Sequence, residues 1–381
     1  MPEVQNPDSG EVWGRMMAQC KLCNATNRSI SKELGVCLKC IRERPEEALP
    51  IAMQAHKKSR AAFGLPTEPP RFPHGIPCHI CVNECRIPED GLGYCGLRKN
   101  IEGSLKGVSP KEGKLSWYHD PLPTNCVADW VCPGGTGAGY PEYAISSGPE
   151  YGYKNLAVFF HACSFNCLFC QNWHFRNETL KPATTLVNRL VSDVDERTSC
   201  ICYFGGDPSP QLPFSLEASR KALEARKGKI LRVCWETNGS MHRGLLDEMI
   251  KLSLDSGGCI KFDLKAWDEN LHVALTGITN KRTIENFSRM GEKVEMRPVP
   301  QLLIASTLLV PGYIDEQEIR SLAGFVASIS PDIPYSLLGF YPHFYMSDLS
   351  VTTKALAQRC LQAAGEAGLK NVRIGNVHLL M

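Results

Sequence analysis

The sequence predicts an α/β fold, a partial TIM-like (β/α)6 barrel preceded by cysteine-rich N-terminal extensions. From residue 154 onward, short apolar runs alternate with amphipathic segments, which is typical of parallel strands joined by crossover helices. The stretch before residue 154 is instead rich in cysteine, glycine and proline. The chain has 381 residues, of which 43% are hydrophobic, and this is enough to bury one large core with appendages.

Charge and hydropathy exclude several classes of function. Basic and acidic side chains number 42 and 40, so the net charge of +2 gives no electrostatic reason to bind nucleic acid or an anionic membrane. No apolar run approaches the roughly 18 residues of a membrane-spanning helix. The N-terminal stretch MPEVQNPDSGEVW lacks the apolar core of a secretion signal. We therefore expect a cytoplasmic protein without a membrane or nucleic-acid partner.

The first region, residues 1–77, is predicted to be a zinc-ribbon or rubredoxin-like metal-binding unit with a linker. Its sequence CKLCNATNRSISKELGVCLKC contains two C-x2-C knuckles, and two such knuckles wrap one tetrahedral metal ion. The spacing does not distinguish zinc from iron. A helix is expected at about 45–63, before a proline-rich linker. The four predicted ligands are Cys20, Cys23, Cys37 and Cys40.

The second region, residues 78–153, is rich in cysteine, glycine and proline. It begins with CHICVNECRIPEDGLGYC, a C-x2-C-x3-C-x9-C pattern that is able to hold either a structural zinc ion or an auxiliary iron–sulfur cluster. Cys126 and Cys132 follow in the same region, and they either extend this site or are ordinary loop cysteines. The four predicted ligands are Cys78, Cys81, Cys85 and Cys95.

The remaining isolated cysteines are predicted to be packed thiols. The chain has 18 cysteines, and in a reducing cytoplasm disulfides are not expected. Five of them stand alone in apolar or helical segments, where a free cysteine behaves as a small hydrophobic side chain. These five are Cys200, Cys202, Cys234, Cys259 and Cys360.

The third region, residues 154–381, contains the predicted barrel. Chemistry in such folds collects at the carboxyl ends of the strands. Strands are predicted at 155–162, 200–206, 229–239, 259–267, 303–312, 334–342 and 371–375. Helices are predicted at 184–196, 212–228, 242–258, 283–293, 315–330 and 352–369.

Three cysteines directly follow the first barrel strand. The stretch FFHACSFNCLFCQNW spaces Cys163, Cys167 and Cys170 as C-x3-C-x2-C. Three thiolates are able to hold three irons of a [4Fe–4S] cluster and leave the fourth iron open, and an open metal position is able to take a substrate. A zinc site would need a fourth ligand, for which only His161 and His174 are close in the sequence.

This spacing, with an aromatic residue before the third cysteine, resembles the signature of the radical S-adenosylmethionine (SAM) superfamily. The resemblance implies a [4Fe–4S] cluster whose open iron takes the amino and carboxylate groups of SAM. In that family one electron breaks a C–S bond of SAM, and the resulting 5′-deoxyadenosyl radical takes hydrogen from a substrate. By the same resemblance, Phe169 would touch the adenine.

Further motifs at strand ends resemble the same superfamily. GGDP at 205–208 is similar to its Gly-Gly-Glu-Pro motif, although Asp207 replaces the usual glutamate. The resemblance implies that Gly205, Gly206 and Asp207 bind the methionyl ammonium group. Glycine also lets the backbone approach a ligand closely.

Three later segments resemble the glycyl-radical-enzyme activases. ETNG contributes Glu236, Thr237 and Asn238, DLKAW contributes Asp263 and Lys265, and YPHF contributes His343. The resemblance implies that Lys265 binds the SAM carboxylate and that His343 contacts the cofactor. Glu236, Thr237 and Asp263 would line the ribose or a monovalent cation.

A narrower resemblance covers most of residues 78–377. The segment that begins at Cys78, the CQNW at 170–173 and AGLKNVRIGNV at 367–377 are similar to AmmeMemoRadiSam-type radical enzymes, which are relatives of pyruvate formate-lyase activating enzyme. The 1–77 extension and the insert CVADWVCPGGTGAGYPEY depart from that pattern.

The predicted function is reductive cleavage of SAM, followed by hydrogen abstraction from an unidentified protein or small molecule. A first alternative is an activating enzyme for a glycyl radical enzyme of the pyruvate formate-lyase kind. A second alternative is a non-catalytic iron–sulfur or zinc protein that carries electrons or binds a partner. The predicted partners are an electron donor of the flavodoxin or ferredoxin class and a protein substrate.

Overall fold

The computed structural model describes residues 17–124 and 126–381. The part of the predicted first region at 1–16, including the stretch inspected for a secretion signal, lies outside the described residues. At the centre is an eight-stranded sheet in which strands that follow one another along the chain are also neighbours in space. In chain order its strands are β1 (Leu115–Pro121), β2 (Lys154–Phe160), β3 (Thr198–Gly205), β4 (Arg232–Thr237), β5 (Ile260–Asp263), β6 (Leu303–Leu309), β7 (Tyr335–Gly339) and β8 (Val372–Gly375).

The sheet confirms the predicted α/β class and its partial barrel. β2 to β8 pair in parallel, and β1 and β8 remain as the two edges of an open barrel. β1 was not predicted from the sequence. It pairs antiparallel with β2, and Leu115 lies opposite Phe160. Only Leu115 of β1 is fully buried. The strand therefore lacks the apolar run from which the neighbouring strands were predicted.

Helices cover the sheet between successive parallel strands. The strand β6 is buried along its whole length, because helices cover the sheet. Its largely apolar sequence LIASTLL fits this burial. Among the described residues, no helix combines the length and hydrophobicity needed to cross a membrane. The helices are α1 (Leu38–Glu43), α2 (Pro45–Ala61), α3 (Val187–Ser192), α4 (Leu212–Ala225), α5 (Arg243–Ser256), α6 (Glu269–Thr276), α7 (Lys281–Gly291), α8 (Glu316–Ile329) and α9 (Lys354–Glu366).

The helix α6 was not predicted from the sequence. It is short, but both of its ends carry standard signals: the Asp268 side chain accepts from the backbone N–H of Leu271 at 2.8 Å, and Gly277 closes the helix with a φ of 76°. The segment between these two residues was predicted to be part of the connection between the strand at 259–267 and the helix at 283–293.

Shorter elements complete the cysteine-rich regions. Four antiparallel strand pairs are Ala18–Gln19 with Thr26–Asn27, Ile76–Pro77 with Arg86–Ile87, Arg98–Ile101 with Ser104–Gly107, and Glu112–Gly113 with Thr185–Leu186. One-turn helices occur at Pro133–Thr136 and Arg176–Thr179.

The N-terminal extension packs directly on the barrel helices. Side chains from residues 18–55 belong to the same apolar core as the strands of the sheet. The Arg42 guanidinium lies 2.8 Å from a carboxylate oxygen of Asp315 and 2.8 Å from one of Glu318, at the N-terminus of α8. The hydroxyl of Tyr313 donates to the carbonyl of Val36 and accepts from the backbone N–H of Ser31, both at 3.0 Å. The extension is therefore anchored by polar contacts as well as by its core.

Candidate functional site

A cavity of about 160 Å³ lies at the carboxyl ends of the parallel strands. Because these ends meet at one edge of the sheet, motifs far apart in the sequence come together there. The cavity wall contains all of the residues predicted for the SAM and cluster site except His343. These are Cys163, Cys167, Cys170, Phe169, Gly205, Gly206, Asp207, Glu236, Thr237, Asn238, Asp263 and Lys265.

The loop that carries the three cysteines is fixed by hydrogen bonds from both sides. The backbone N–H groups of Asn166 and Leu168 donate to the carbonyls of Thr276 and Leu275, at 2.8 and 3.1 Å. The side-chain amide of Asn166 donates to Nδ1 of His56 at 3.0 Å, and Nε2 of His56 donates to the carbonyl of Ala274 at 2.9 Å. The N-terminal helix α2 and the end of α6 therefore hold the cysteine loop together.

The buried histidine in this anchor predicts a dependence of stability on pH. Burial lowers the pKa of His56 to about 4, and burial also lowers the pKa of His272 to about 4. Both rings are neutral in the folded protein, whereas an unfolded histidine takes up a proton below about pH 6.5. The stability present above pH 6.5 is therefore lost as pH falls toward 4, by about 2 kcal/mol for each histidine between pH 7 and pH 5.

Anaerobic urea unfolding at pH 7 and pH 5 measures this loss. We expect the His56→Gln variant to be less stable at pH 7 and to lose less additional stability at pH 5 than the unchanged protein. An equal loss in both proteins would show that His56 is not one of the groups responsible.

The three cysteines have the environment of a metal-cluster site. The Cys163 sulfur accepts from the backbone N–H of Phe165 at 3.3 Å and from the side-chain amide of Asn238 at 3.7 Å. Burial raises the pKa of Cys163, and it raises the pKa of Cys167 to about 12, so these sulfurs need a cation to ionise. The sulfurs of these three cysteines do not all lie within 4.8 Å of one another. Among the described residues, only the four cysteines of the N-terminal set are that close together. The donor set thus fits a polynuclear cluster better than one metal ion.

Arg176 is a part of the site that the sequence reading missed. Its guanidinium is buried and lies in the cavity wall, over the rings of Phe175 and Phe344 at 4.6 and 4.7 Å. Nη2 donates to the side-chain oxygen of Asn166 at 3.3 Å, and Nη1 has no partner within the described part of the chain. A buried cation with a free donor beside three thiols suits a cluster of net negative charge. A single arginine in a one-turn helix gave no sequence signal for this role.

The GGDP segment brings the backbone of β3 close to that of the cysteine loop. Gly206 donates its N–H to the carbonyl of Phe160 at 2.9 Å, and Asp207 donates to that of Ala162 at 2.8 Å. A Cβ atom on Gly206 would stand 2.3 Å from the carbonyl oxygen of Ala162. Gly205 has a φ of 90°, which favours glycine. The two glycines therefore permit a backbone approach that no larger residue allows.

The carboxylate of Asp207 is occupied by its own chain. One oxygen accepts from the backbone N–H of Ser209 at 2.8 Å. The other accepts from the Thr237 hydroxyl at 3.0 Å and from the backbone N–H of Asn238 at 2.8 Å. Burial raises the pKa of this carboxyl. Asp207 therefore ties the end of β3 to the end of β4, and its contact with a methionyl ammonium group remains a prediction.

Lys265 is a second cation in the wall of the cavity. Its ammonium forms an ion pair with Asp263, whose other oxygen accepts from the Ser306 hydroxyl at 3.0 Å. Burial opposes the charge of Lys265, but Asp263 and Cys167 outweigh it and raise the lysine pKa. The ammonium also lies 5.9 Å from the ring centre of Phe169. This cation is fixed in place and retains donors that a bound carboxylate is able to use.

His343 is the one predicted cofactor contact that the structure does not bring into the cavity wall. Its ring lies 5.2 Å from that of Tyr341, and burial lowers its pKa. The residue belongs to a loop after β7, where strand periodicity no longer fixes the direction of a side chain. The resemblance in this loop was therefore a weaker guide than the motifs at strand ends.

The N-terminal cysteine set has the spacing of a site for one tetrahedral metal ion. Sulfur–sulfur distances are 3.7 Å for Cys20 with Cys40 and 3.7 Å for Cys23 with Cys37. Metal–sulfur bonds of about 2.3 Å in a tetrahedron separate the sulfurs by about 3.8 Å. Burial opposes ionisation of Cys20, but backbone N–H groups of the loop lower its pKa to about 6. The four cysteines are thus arranged for a metal, and the geometry suits zinc and iron equally.

The second cysteine set surrounds a smaller space. Cys78, Cys81, Cys85 and Cys95 all line a cavity of about 10 Å³. The backbone N–H of Tyr94 donates to the Cys85 sulfur at 3.4 Å. Cys126 and Cys132 are absent from the wall of that cavity and line a different one inside the barrel. They therefore do not extend the second set.

Comparisons with known proteins indicate the superfamily. Residues 157–323 match the family model of the Radical SAM superfamily. An uncharacterized protein of Methanocaldococcus jannaschii is 26% identical over 312 residues, which are 79% of this chain and 81% of that relative. A second protein of that organism, provisionally named a glycyl-radical enzyme activating enzyme, is 28% identical over 49% of this chain and 67% of its own. The pyruvate formate-lyase 1-activating enzyme of Escherichia coli is 25% identical over 42% of this chain and 63% of its own.

Proposed function

We propose that this radical SAM enzyme, whose family domain spans residues 157–323, cleaves SAM in the cavity at the strand ends and takes hydrogen from a further substrate. The observation that carries the proposal is the convergence of three partly buried thiols, a glycine turn and a partly buried lysine on one cavity. An electron carrier needs a cluster but no cavity lined by groups able to bind a substrate. The alternative of a non-catalytic iron–sulfur or zinc protein is therefore not favoured.

Cys163, Cys167 and Cys170 would hold a [4Fe–4S] cluster, with Arg176 as the neighbouring cation. When bound, the cluster supplies one electron that breaks a C–S bond of SAM to give methionine and a 5′-deoxyadenosyl radical. The chain itself supplies position, charge and exclusion of water. Asn238 and the backbone of Phe165 direct N–H groups at the Cys163 sulfur, which stabilises a thiolate there.

The remaining wall residues fit the parts of SAM. Lys265 would bind the carboxylate by a charge-assisted hydrogen bond, and Phe169 would pack on the adenine. Gly205 and Gly206 would bind the methionyl ammonium group through their backbone. Glu236 and Thr237 at the end of β4 would face the ribose side, with Asp263 across the cavity. His343 contributes only if its loop turns toward the cavity when SAM binds.

Replacing Lys265 by methionine tests this assignment. The methylene stem is retained but the ammonium is lost, and a hydrogen bond to a charged group contributes about 1.5–3 kcal/mol. We expect the dissociation constant of SAM to rise about 10- to 100-fold, measured by anaerobic equilibrium dialysis of the cluster-loaded protein. Lys251→Met, at an exposed position on α5, is the matched control and should bind SAM normally. An unchanged dissociation constant for Lys265→Met would contradict the assignment.

The substrate is proposed to be a protein or a small molecule, reached through the open side of the cavity. A glycyl radical enzyme is a second candidate substrate, favoured by the names of two relatives. After incubation of the reduced enzyme with SAM and a candidate partner, electron paramagnetic resonance would show a glycyl radical doublet in the partner. Formation of 5′-deoxyadenosine that increases with another substrate, and no such doublet, would reject the activase candidate.

The proposed reaction also implies an electron donor and a reducing compartment. A reductant of the flavodoxin or ferredoxin class would supply the electron. All 18 cysteines are unpaired as thiols, which fits a reducing compartment, and we propose the cytoplasm. The first cysteine set would hold zinc or iron, and the second set zinc or an auxiliary iron–sulfur cluster. The division into regions 1–77, 78–153 and 154–381 is part of the same proposal.

A further inference from the structure

A second cavity of about 160 Å³ lies inside the barrel, beneath the first. Its wall contains six cysteines that neither the catalytic loop nor the two N-terminal sets include. We call them the lumen cysteines. They are Cys126, Cys132, Cys200, Cys202, Cys234 and Cys259.

The register of the sheet explains why four of these thiols meet. Side chains two residues apart on a strand point to the same face, so Cys200 and Cys202 of β3 both face the lumen. Cys202 is paired directly with Cys234 on β4. The backbone N–H of Cys259, just before β5, donates to the Cys234 sulfur at 3.5 Å. Three neighbouring strands thus direct thiols into one space.

The remaining two thiols come from the segment between β1 and β2. Cys126 and Cys132 pack in a small apolar cluster with Cys259, which is separate from the main core. The other three lumen cysteines belong to a second small cluster. By contrast Cys360, which was also predicted to be a packed thiol, lies in the main core and confirms that prediction.

A buried lysine lies among these thiols. The Lys261 ammonium is 3.1 Å from the Cys126 sulfur and 3.2 Å from the Cys202 sulfur. It also forms an ion pair with Glu236 at 3.1 Å. Glu236 lines both this cavity and the one at the strand ends, so the two cavities share a wall. The Cys126 thiol also donates to the Glu236 carboxylate at 3.3 Å, so Lys261 and Glu236 together form a polar group among the lumen cysteines.

The arrangement differs from ordinary packed thiols. Packed cysteines fill space, whereas these line a cavity as large as the SAM cavity and surround a charged side chain. Nor are they arranged for one metal ion, because no three of their sulfurs lie within 4.8 Å of one another in the described chain. The catalytic cysteines of the same protein share this wider spacing.

We infer that the lumen cysteines hold an additional iron–sulfur cluster, next to the cavity in which SAM is bound. Three or four thiolates are sufficient for such a cluster, and six are present. The inference concerns binding only and does not depend on the proposed reaction of SAM.

The experiment removes the catalytic cluster first. The full chain with Cys163, Cys167 and Cys170 all changed to alanine is loaded anaerobically with ⁵⁷Fe and sulfide. Iron, acid-labile sulfide and Mössbauer spectra are then compared with those of the same protein in which all six lumen cysteines are changed to alanine in addition. We expect the additional changes to remove about two to four irons with matching sulfide per chain.

Two further variants keep the test decisive. Cys360→Ala in the same background should leave iron and sulfide unchanged. Changing the six lumen cysteines to serine instead of alanine retains side-chain size, and this variant should alter or lose the Mössbauer signal of the additional cluster without unfolding the chain. Equal iron and sulfide before and after the lumen changes would overturn the inference, as would zinc without sulfide in the lumen or unchanged spectra of the serine variant.

Discussion

The Cys167→Ala variant should lose both its catalytic cluster and all cleavage of SAM. Cys167 is the central member of the C-x3-C-x2-C set, and two remaining thiolates are too few for a [4Fe–4S] cluster with one open iron. Iron and labile sulfide should fall by about four each per chain. The yield of 5′-deoxyadenosine under anaerobic conditions with dithionite should fall to the detection limit.

Cys360→Ala is the matched control for this loss. Cys360 is a buried thiol in the main core on α9, and it lines neither cavity. It should cost some stability by leaving a small void, and the reaction should continue. Persistent cleavage by Cys167→Ala would show that another cysteine set holds the reacting cluster.

The Gly206→Ala variant should lower SAM cleavage by about 100-fold or more. A methyl group at this position would lie 2.3 Å from the carbonyl oxygen of Ala162 and 2.6 Å from that of Phe160. Both oxygens belong to backbone that leads into the cysteine loop, so the clash displaces the cluster relative to the cavity. Anaerobic product analysis and SAM binding measure the effect separately.

Gly324→Ala provides the control for an added methyl group. Gly324 lies within α8, and a Cβ there would meet no atom within 4 Å. Alanine favours the helix by about 1 kcal/mol, so stability should rise slightly and activity should be unchanged. Normal activity in Gly206→Ala would mean that the backbone of β3 is not packed against the cysteine loop as described.

The barrel and most of the candidate site could be predicted from the sequence for a common physical reason. Most of the parallel strands are short, largely apolar segments, because helices cover the sheet. Each motif directly follows such a segment, and the ends of parallel strands share one edge. The motifs containing Cys163, Gly206, Thr237 and Lys265 therefore had to meet, whatever the exact curvature of the sheet.

The features that were not predicted depend on three-dimensional contacts, which a sequence pattern does not show. β1 is half exposed and antiparallel, so its sequence looked like a loop. Arg176 acts through three-dimensional proximity alone. The four cysteines of β3, β4 and the start of β5 were predicted to be packed thiols, and they do lie buried in small apolar clusters. The sequence did not indicate that they would line one cavity together with Cys126 and Cys132, because it does not give the register of β3 against β4. Only the register that pairs Cys202 with Cys234 shows that these thiols face one cavity.

Reductive cleavage of SAM is best tested in the unchanged protein. It is loaded anaerobically with iron and sulfide, its cluster is verified spectroscopically, and it is mixed with SAM and dithionite. If the cavity at the strand ends is a site of reductive SAM cleavage, 5′-deoxyadenosine and methionine will form in equal amounts and only with the reductant. Intact SAM in a protein that retains its cluster would contradict the claim.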